Sequence, residues 1–160
     1  MIVVSDSSPL IVLATVGELE LLRELFGEVL VPGRVWDEVC QADRPGTESI
    51  QSADWIRTIA VADDSYLMAL RTEIDQGEAE AMVLAADVQA DFLLLDERRA
   101  RSLALSLGFE VIGVVGVLLR AKRSGLLAQV RAVLDRIRAE TEFRIGKRLY
   151  DDALRTAGES

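Results

Sequence analysis

Apolar residues in this chain fall into two patterns that take turns from one end to the other. The first is a short unbroken run. Ile2-Val3-Val4, Val29-Leu30-Val31, Asp91-Phe92-Leu93-Leu94-Leu95 and Phe109-Glu110-Val111-Ile112 have the length of buried strands, and Trp55 to Val61 is a further candidate. The second is longer, with apolar positions every three or four residues. It predicts helices through Leu10-Ile11-Val12-Leu13-Ala14, from about Leu19 to Phe26, over roughly 34–42 and from Gly77 to Ala90. Further helices are predicted from Arg98 to Leu107, from Gly113 to Ser124, over about 127–139 and through Leu149-Tyr150. Gly27, Gly108 and Gly125 close three of these, and Ala42-Asp43-Arg44-Pro45-Gly46-Thr47 reads as a loop. Strands alternating with helices call for a parallel α/β sheet covered on both faces.

Composition narrows the chemistry. The 160 residues are half apolar and 28% charged, which fits one globular domain with a real core. No apolar run approaches the ~20 residues of a membrane span. Met1-Ile2-Val3-Val4-Ser5-Asp6 lacks a basic start and a small-residue cleavage site, so a cytoplasmic location is expected. Cys40 is the only cysteine, which excludes an intrachain disulfide and a thiolate zinc site, and it reads as a small buried apolar residue. Histidine is absent, so Ser-His-Asp or Cys-His catalysis has no base, and His-ligated zinc or iron has no ligands. Trp36 and Trp55 read as core or interface residues, and Leu118-Leu119 and Leu126-Leu127 as an extension of the core or a dimer seam.

Acid–base and metal chemistry are left to carboxylates, and four segments place them where chemistry happens. Asp6 follows the first strand, Glu38 rides the helix after Pro32-Gly33, Glu78 starts the helix at Gly77, and Asp96 follows Leu93-Leu94-Leu95. In parallel sheets, sites gather at the carboxyl ends of the strands. Acids held together there repel one another and raise each other's pKa unless a cation joins them, and hard divalent ions prefer such oxygen ligands. The charge distribution agrees. Residues 1–97 carry a net charge of -15, and residues 98–160 carry +6, with Arg98, Arg101, Arg120 and Lys122 as candidate phosphate ligands. Taken singly, each acid also has a plainer role, such as capping a helix or lying on a solvated face.

These blocks resemble the PIN-like domains. Val3-Val4-Ser5-Asp6-Ser7-Ser8-Pro9-Leu10-Ile11 is similar to the family's opening, and Val31-Pro32-Gly33-Arg34-Val35-Trp36-Asp37-Glu38-Val39 to its second block. Asp75-Gln76-Gly77-Glu78-Ala79-Glu80-Ala81 and Leu94-Leu95-Asp96-Glu97-Arg98-Arg99-Ala100-Arg101 resemble the third and fourth. Phe109 to Lys122, and even Phe143-Arg144-Ile145 with Leu149-Tyr150, resemble a subgroup of predicted nucleic-acid-binding proteins related to VapC-type toxins. The resemblance implies a single domain over 1–160 with a helical extension from about 126 to 160. Its fold would be a three-layer α/β/α sandwich, with a parallel sheet of about five strands in the order 3-2-1-4-5 flanked by helices. It implies Mg²⁺ or Mn²⁺ bound by Asp6, Glu38, Glu78 and Asp96, RNA as substrate, a homodimer and a possible antitoxin protein as partner. Glu80 is the second choice to Glu78, Ser7 and Ser8 are candidates to orient a ligand carboxylate, and Glu97 is a neighbour that competes with Asp96. Val114 stands where the subgroup usually has Thr.

The leading expectation is therefore a Mg²⁺- or Mn²⁺-dependent endoribonuclease, as the toxin of a toxin–antitoxin pair. The competing one is a PIN-like nucleic-acid-binding or regulatory protein with weak or no nuclease activity, favoured by Val114 and the acidic balance. A flavodoxin-like phosphoacceptor is a distant third, because neither Lys122 nor Lys147 ends a strand.

Overall fold

The computed structural model describes residues 1–159. Five short strands form one sheet: β1 (Val3–Ser5), β2 (Val29–Pro32), β3 (Ile56–Ile59), β4 (Phe92–Leu94) and β5 (Val111–Ile112). The strands lie in the order β3-β2-β1-β4-β5, and every pairing is parallel. In register, Val4 faces Leu30, Ser5 faces Leu94, and Leu94 faces Ile112. Among the described residues, ten helices make the crossovers and the C-terminal cover: α1 (Ser7–Thr15), α2 (Glu20–Phe26), α3 (Gly33–Gln41), α4 (Glu48–Gln51), α5 (Ser65–Leu70), α6 (Gln76–Asp87), α7 (Arg98–Ser106), α8 (Val114–Arg123), α9 (Val130–Glu140) and α10 (Lys147–Ala157).

Strand alternation sorts the core into two halves. Val3, Val29, Val31, Leu94 and Ile112 point to one face, where they meet α1–α4 and α8–α10. Val4, Leu93 and Leu95 point to the other, where α5, α6 and α7 cover them. Neighbouring residues on one strand serve opposite layers because the side-chain period is two. Runs such as Val3-Val4 and Leu93-Leu94-Leu95 are apolar throughout for that reason. The fold is the α/β/α sandwich expected. Its last two helices contribute Val130, Leu134, Ile137, Ala153 and Leu154 to the same core as α1 and α2.

Some local readings need correction. Cys40 is exposed: Val35 and Val39 form the inward stripe of α3, and Cys40 follows one position past it. Leu118 is fully buried and works as core, while Leu126 is exposed. The short α4 gives no apolar period long enough to be read from the sequence. Trp36 and Trp55 need no correction: they are half-buried and pack against the core, as expected. Among the described residues, no helix is long and apolar enough to cross a membrane.

Candidate functional site

Asp6 is the first residue beyond β1, and its amide donates to the Leu94 carbonyl at 2.9 Å, so the sheet itself positions it. It occupies the N-cap position of α1, yet its side chain makes no cap hydrogen bond. The plain role of a capping Asp is therefore not what it performs. Its carboxyl is buried, and burial pushes its pKa up to about 8. The Ser7 amide offsets this in part, while Glu78, Asp75 and Glu38 push it further upward.

Glu78 is buried near the start of α6, where it completes a capping box. Its amide donates to Asp75 Oδ1 at 2.8 Å, and its Oε1 accepts from the Asp75 amide at 3.2 Å. Burial and then Asp75 raise its pKa to about 7, with Glu97 and Glu38 adding to the effect. Glu38 projects from α3 and is half-buried. Burial first, then Asp75, raise its pKa; Ser7 and Arg34 act the other way, and Glu80 adds upward pressure. Its Oε1 is buried without a hydrogen-bond partner, an arrangement that costs free energy unless something else satisfies it.

Asp96 stands apart from this group. It follows β4, but both of its carboxylate oxygens accept from the Val114 amide at the start of α8, at 3.1 and 3.2 Å. Burial raises its pKa to about 6 against the opposing Val114 amide and Arg101. Arg101 is itself tied down, donating from Nη1 to the Leu95 carbonyl at 2.9 Å. Glu97, rather than Asp96, caps α7, accepting from the Ala100 amide at 2.7 Å.

The structure thus brings Asp6, Glu38 and Glu78 under one electrostatic influence and holds Asp96 at its edge. Glu80 lies on the rim of the cluster: it accepts from the Arg34 amide at 3.3 Å and from Gln76 at 3.0 Å. Ser7 acts on Glu38, whereas Ser8 lines a separate small cavity of about 260 Å³ with Ile11, Val12 and Phe143. Arg98, Arg101 and Arg120 line one groove together with Asp96. Lys122 is engaged elsewhere, donating to the Ala128 carbonyl at 2.6 Å and to Glu159 at 3.2 Å.

Sequence reasoning passed over three contributors. Asp75 raises the pKa of each of the three clustered acids, and its signal was the Asp three residues ahead of Glu78. Gly77 and Gly113 are the other two. A Cβ at Gly77 would collide with Glu38 Oε1, and one at Gly113 would lie 2.5 Å from Asp96 Oδ1.

The donor set suits a hard divalent cation: it is all oxygen, Asp6 and Glu78 are buried, Glu38 and Glu78 repel Asp6, and Glu38 Oε1 is unsatisfied. As placed, no three of these side chains among the described residues converge closely enough to grip one ion, so binding it would require the carboxylates to draw together. A family model described as PIN domain matches residues 2–159. No curated protein and no solved structure shows significant similarity to the chain.

Proposed function

The chain belongs to the PIN-domain family, and from that membership and the carboxylate cluster we propose that it is a Mg²⁺- or Mn²⁺-dependent endoribonuclease. A PIN domain is a nuclease domain and is generally dependent on divalent metal ions. The observation that carries the reading here is the coupling of Asp6, Glu38 and Glu78. Burial raises the pKa of all three, Asp75 adds to each, Glu38 and Glu78 both push Asp6 upward and Glu38 pushes Glu78, so the acids are held in a state that a cation would relieve.

Asp6, Glu38 and Glu78 would hold the ion, with Asp96 joining from the edge. The chemistry such an ion supplies is activation of the attacking water and stabilisation of charge on the leaving oxygen. The chain's own hydrogen bonds determine which atoms are available. Glu78 Oε1 is committed to the Asp75 amide, which leaves its other oxygen free for ligation. Glu38 Oε1 has no protein partner. Asp96 is fixed by the Val114 amide, so it serves as a stiff boundary to the site. Arg101, held beside Asp96 by the Leu95 carbonyl, is in place to neutralise a phosphate arriving there.

The test is cleavage of single-stranded RNA in Mn²⁺ or Mg²⁺ by the parent and by Asp6→Asn and Glu38→Gln, with circular dichroism as a check on folding. Loss of cleavage in folded variants supports the site; cleavage at the parental rate in both overturns it. A toxin role with an antitoxin partner and a homodimer complete the proposal and rest on the resemblance to the VapC-related subgroup; a cytoplasmic location is proposed with them. The second reading is a nucleic-acid-binding protein with little nuclease activity. The position of Asp96 favours it, since the Val114 amide donates to both of its oxygens and holds it at the edge of the cluster. RNA binding that falls steeply with salt, without cleavage in either metal, would select it.

A further inference from the structure

A groove of about 720 Å³ starts at Asp96 and runs between α8 and the segment joining α9 to α10. Arg98, Arg101, Arg120 and Arg144 line it, and Asp96 is its one acid. The chain as a whole carries a net charge of -9, so four arginines around one acid run against its overall balance. Among the described residues, none of the four pairs with a carboxylate within ion-pairing distance, although nine other basic side chains do. Two are preorganised: Arg101 by the Leu95 carbonyl, and Arg120 by stacking 4.5 Å above the Phe92 ring. Arg98 and Arg144 are exposed.

The groove also has apolar walls. Phe143 is half-buried and Leu149 is an exposed large apolar side chain, 45% accessible, on the same lining. A duplex presents only phosphates and sugars to such a wall, because its bases are stacked inside. A single strand presents phosphates to the arginines and base faces to Phe143 and Leu149 together.

We propose that this groove is a binding track for single-stranded nucleic acid, seating the substrate segment that flanks the phosphodiester presented at Asp96. Arg98, Arg101, Arg120 and Arg144 take the phosphates, and Phe143 and Leu149 take base faces. What happens at the Asp96 end rests on the nuclease reading; binding along the groove does not.

Binding is therefore measured without cleavage, by fluorescence anisotropy of a labelled single-stranded RNA oligonucleotide in EDTA across a salt series. The parent is compared with Arg98→Ala/Arg144→Ala and with Phe143→Leu, and thermal melts check each fold. Loss of two phosphate contacts should weaken binding and reduce the slope of log K against log salt by about 1.4. Phe143→Leu should weaken binding about 5-fold or more while leaving the salt slope unchanged. No binding by the parent, parental affinity and slope in the double variant, or equal affinity for duplex and single strand would each overturn the groove. A parent that binds in this way yet never cuts RNA in Mn²⁺ or Mg²⁺ sinks the nuclease reading and leaves the groove standing. A parent that cuts, with a double variant that cuts and binds as well, sinks the groove alone.

Discussion

Gly77 makes room for Glu38: a methyl group on its α-carbon would occupy the space of the Glu38 carboxylate, on a different helix. Gly77 lies in the first turn of α6 and has no left-handed backbone requirement, so the need for glycine there is one of space. Alanine is the better helix former by about 0.5–1 kcal/mol, and the clash falls on the tip of a flexible side chain. Gly77→Ala should thus fold at least as well as the parent while pushing Glu38 out of the cluster. RNA cleavage should fall by about 10- to 100-fold at unchanged melting temperature, since small misplacements at a reacting centre cost that much. Parental activity in a folded Gly77→Ala protein would remove Glu38 from the site.

Asp6 makes stability depend on pH in a direction opposite to that of most carboxylates. Its pKa is raised from the ordinary 3.8 to about 8 in the folded chain. The stability linked to its proton is fully present below the unfolded value and is lost as pH rises through the folded one. Without divalent ions, the protein should melt at a higher temperature at pH 5.5 than at pH 8.5. Glu78, raised to about 7, adds in the same direction. Asp6→Asn should flatten the profile and stabilise the protein at pH 8.5, which thermal melts in EDTA will show.

Protons and a divalent ion compete for the same oxygens. Mn²⁺ should therefore raise the melting temperature more at pH 8 than at pH 6, because the cluster is protonated at the lower pH. At a concentration near 100 times its dissociation constant, the ion contributes about 2.7 kcal/mol, or roughly 5–10 °C for a domain of this size. Asp6→Asn should abolish the shift. Asp96→Asn should reduce it less, because Asp96 is held by Val114 and shares no carboxylate neighbour with the cluster. Equal shifts at both pH values would show that the ion binds elsewhere.

Much of this architecture was legible in the chain because its signals are local. Val3-Val4 and Leu93-Leu94-Leu95 are apolar on both sides of the pleat, which only a doubly covered sheet explains. Asp6, Glu78 and Asp96 were legible because each sits at or just inside a junction between elements, and Glu38 because of the Pro-led helix that carries it. Their grouping was not, because it depends on which amide claims which oxygen. Asp96 and Glu97 are adjacent, yet one reaches the start of α8 and the other caps α7. That choice is decided by the approach of α8, eighteen residues away, and no local pattern carries it. Lys122 escaped for the same reason: its partner is Glu159, at the far end of the chain.

Glu159 gathers the C-terminal helices onto the domain, and it offers the last test. Its two oxygens accept from the Val130 amide at 2.7 Å and the Arg131 amide at 2.9 Å, at the start of α9, and Lys122 on α8 adds a third contact at 3.2 Å. No side chain of the neighbouring Gln129 caps α9, so Glu159 supplies the missing acceptor from thirty residues downstream. Burial opposes its ionisation, but the two amides and Lys122 outweigh it, and its pKa is lowered from the ordinary 4.5. The stability it contributes is therefore present above pH 4.5 and disappears as pH falls through the lower folded value. Glu159→Ala should cost about 1 kcal/mol at pH 7, the usual effect of removing a helix cap. The difference from the parent should shrink as the pH falls well below the ordinary 4.5 and Glu159 takes up its proton. Because the segment joining α9 to α10 walls the arginine groove at Phe143 and Arg144, the same variant should also weaken RNA binding while leaving the Mn²⁺-induced shift intact. A variant that melts with the parent at every pH would show that the C-terminal helices hold themselves in place through Val130, Leu134, Ile137 and Leu154 alone.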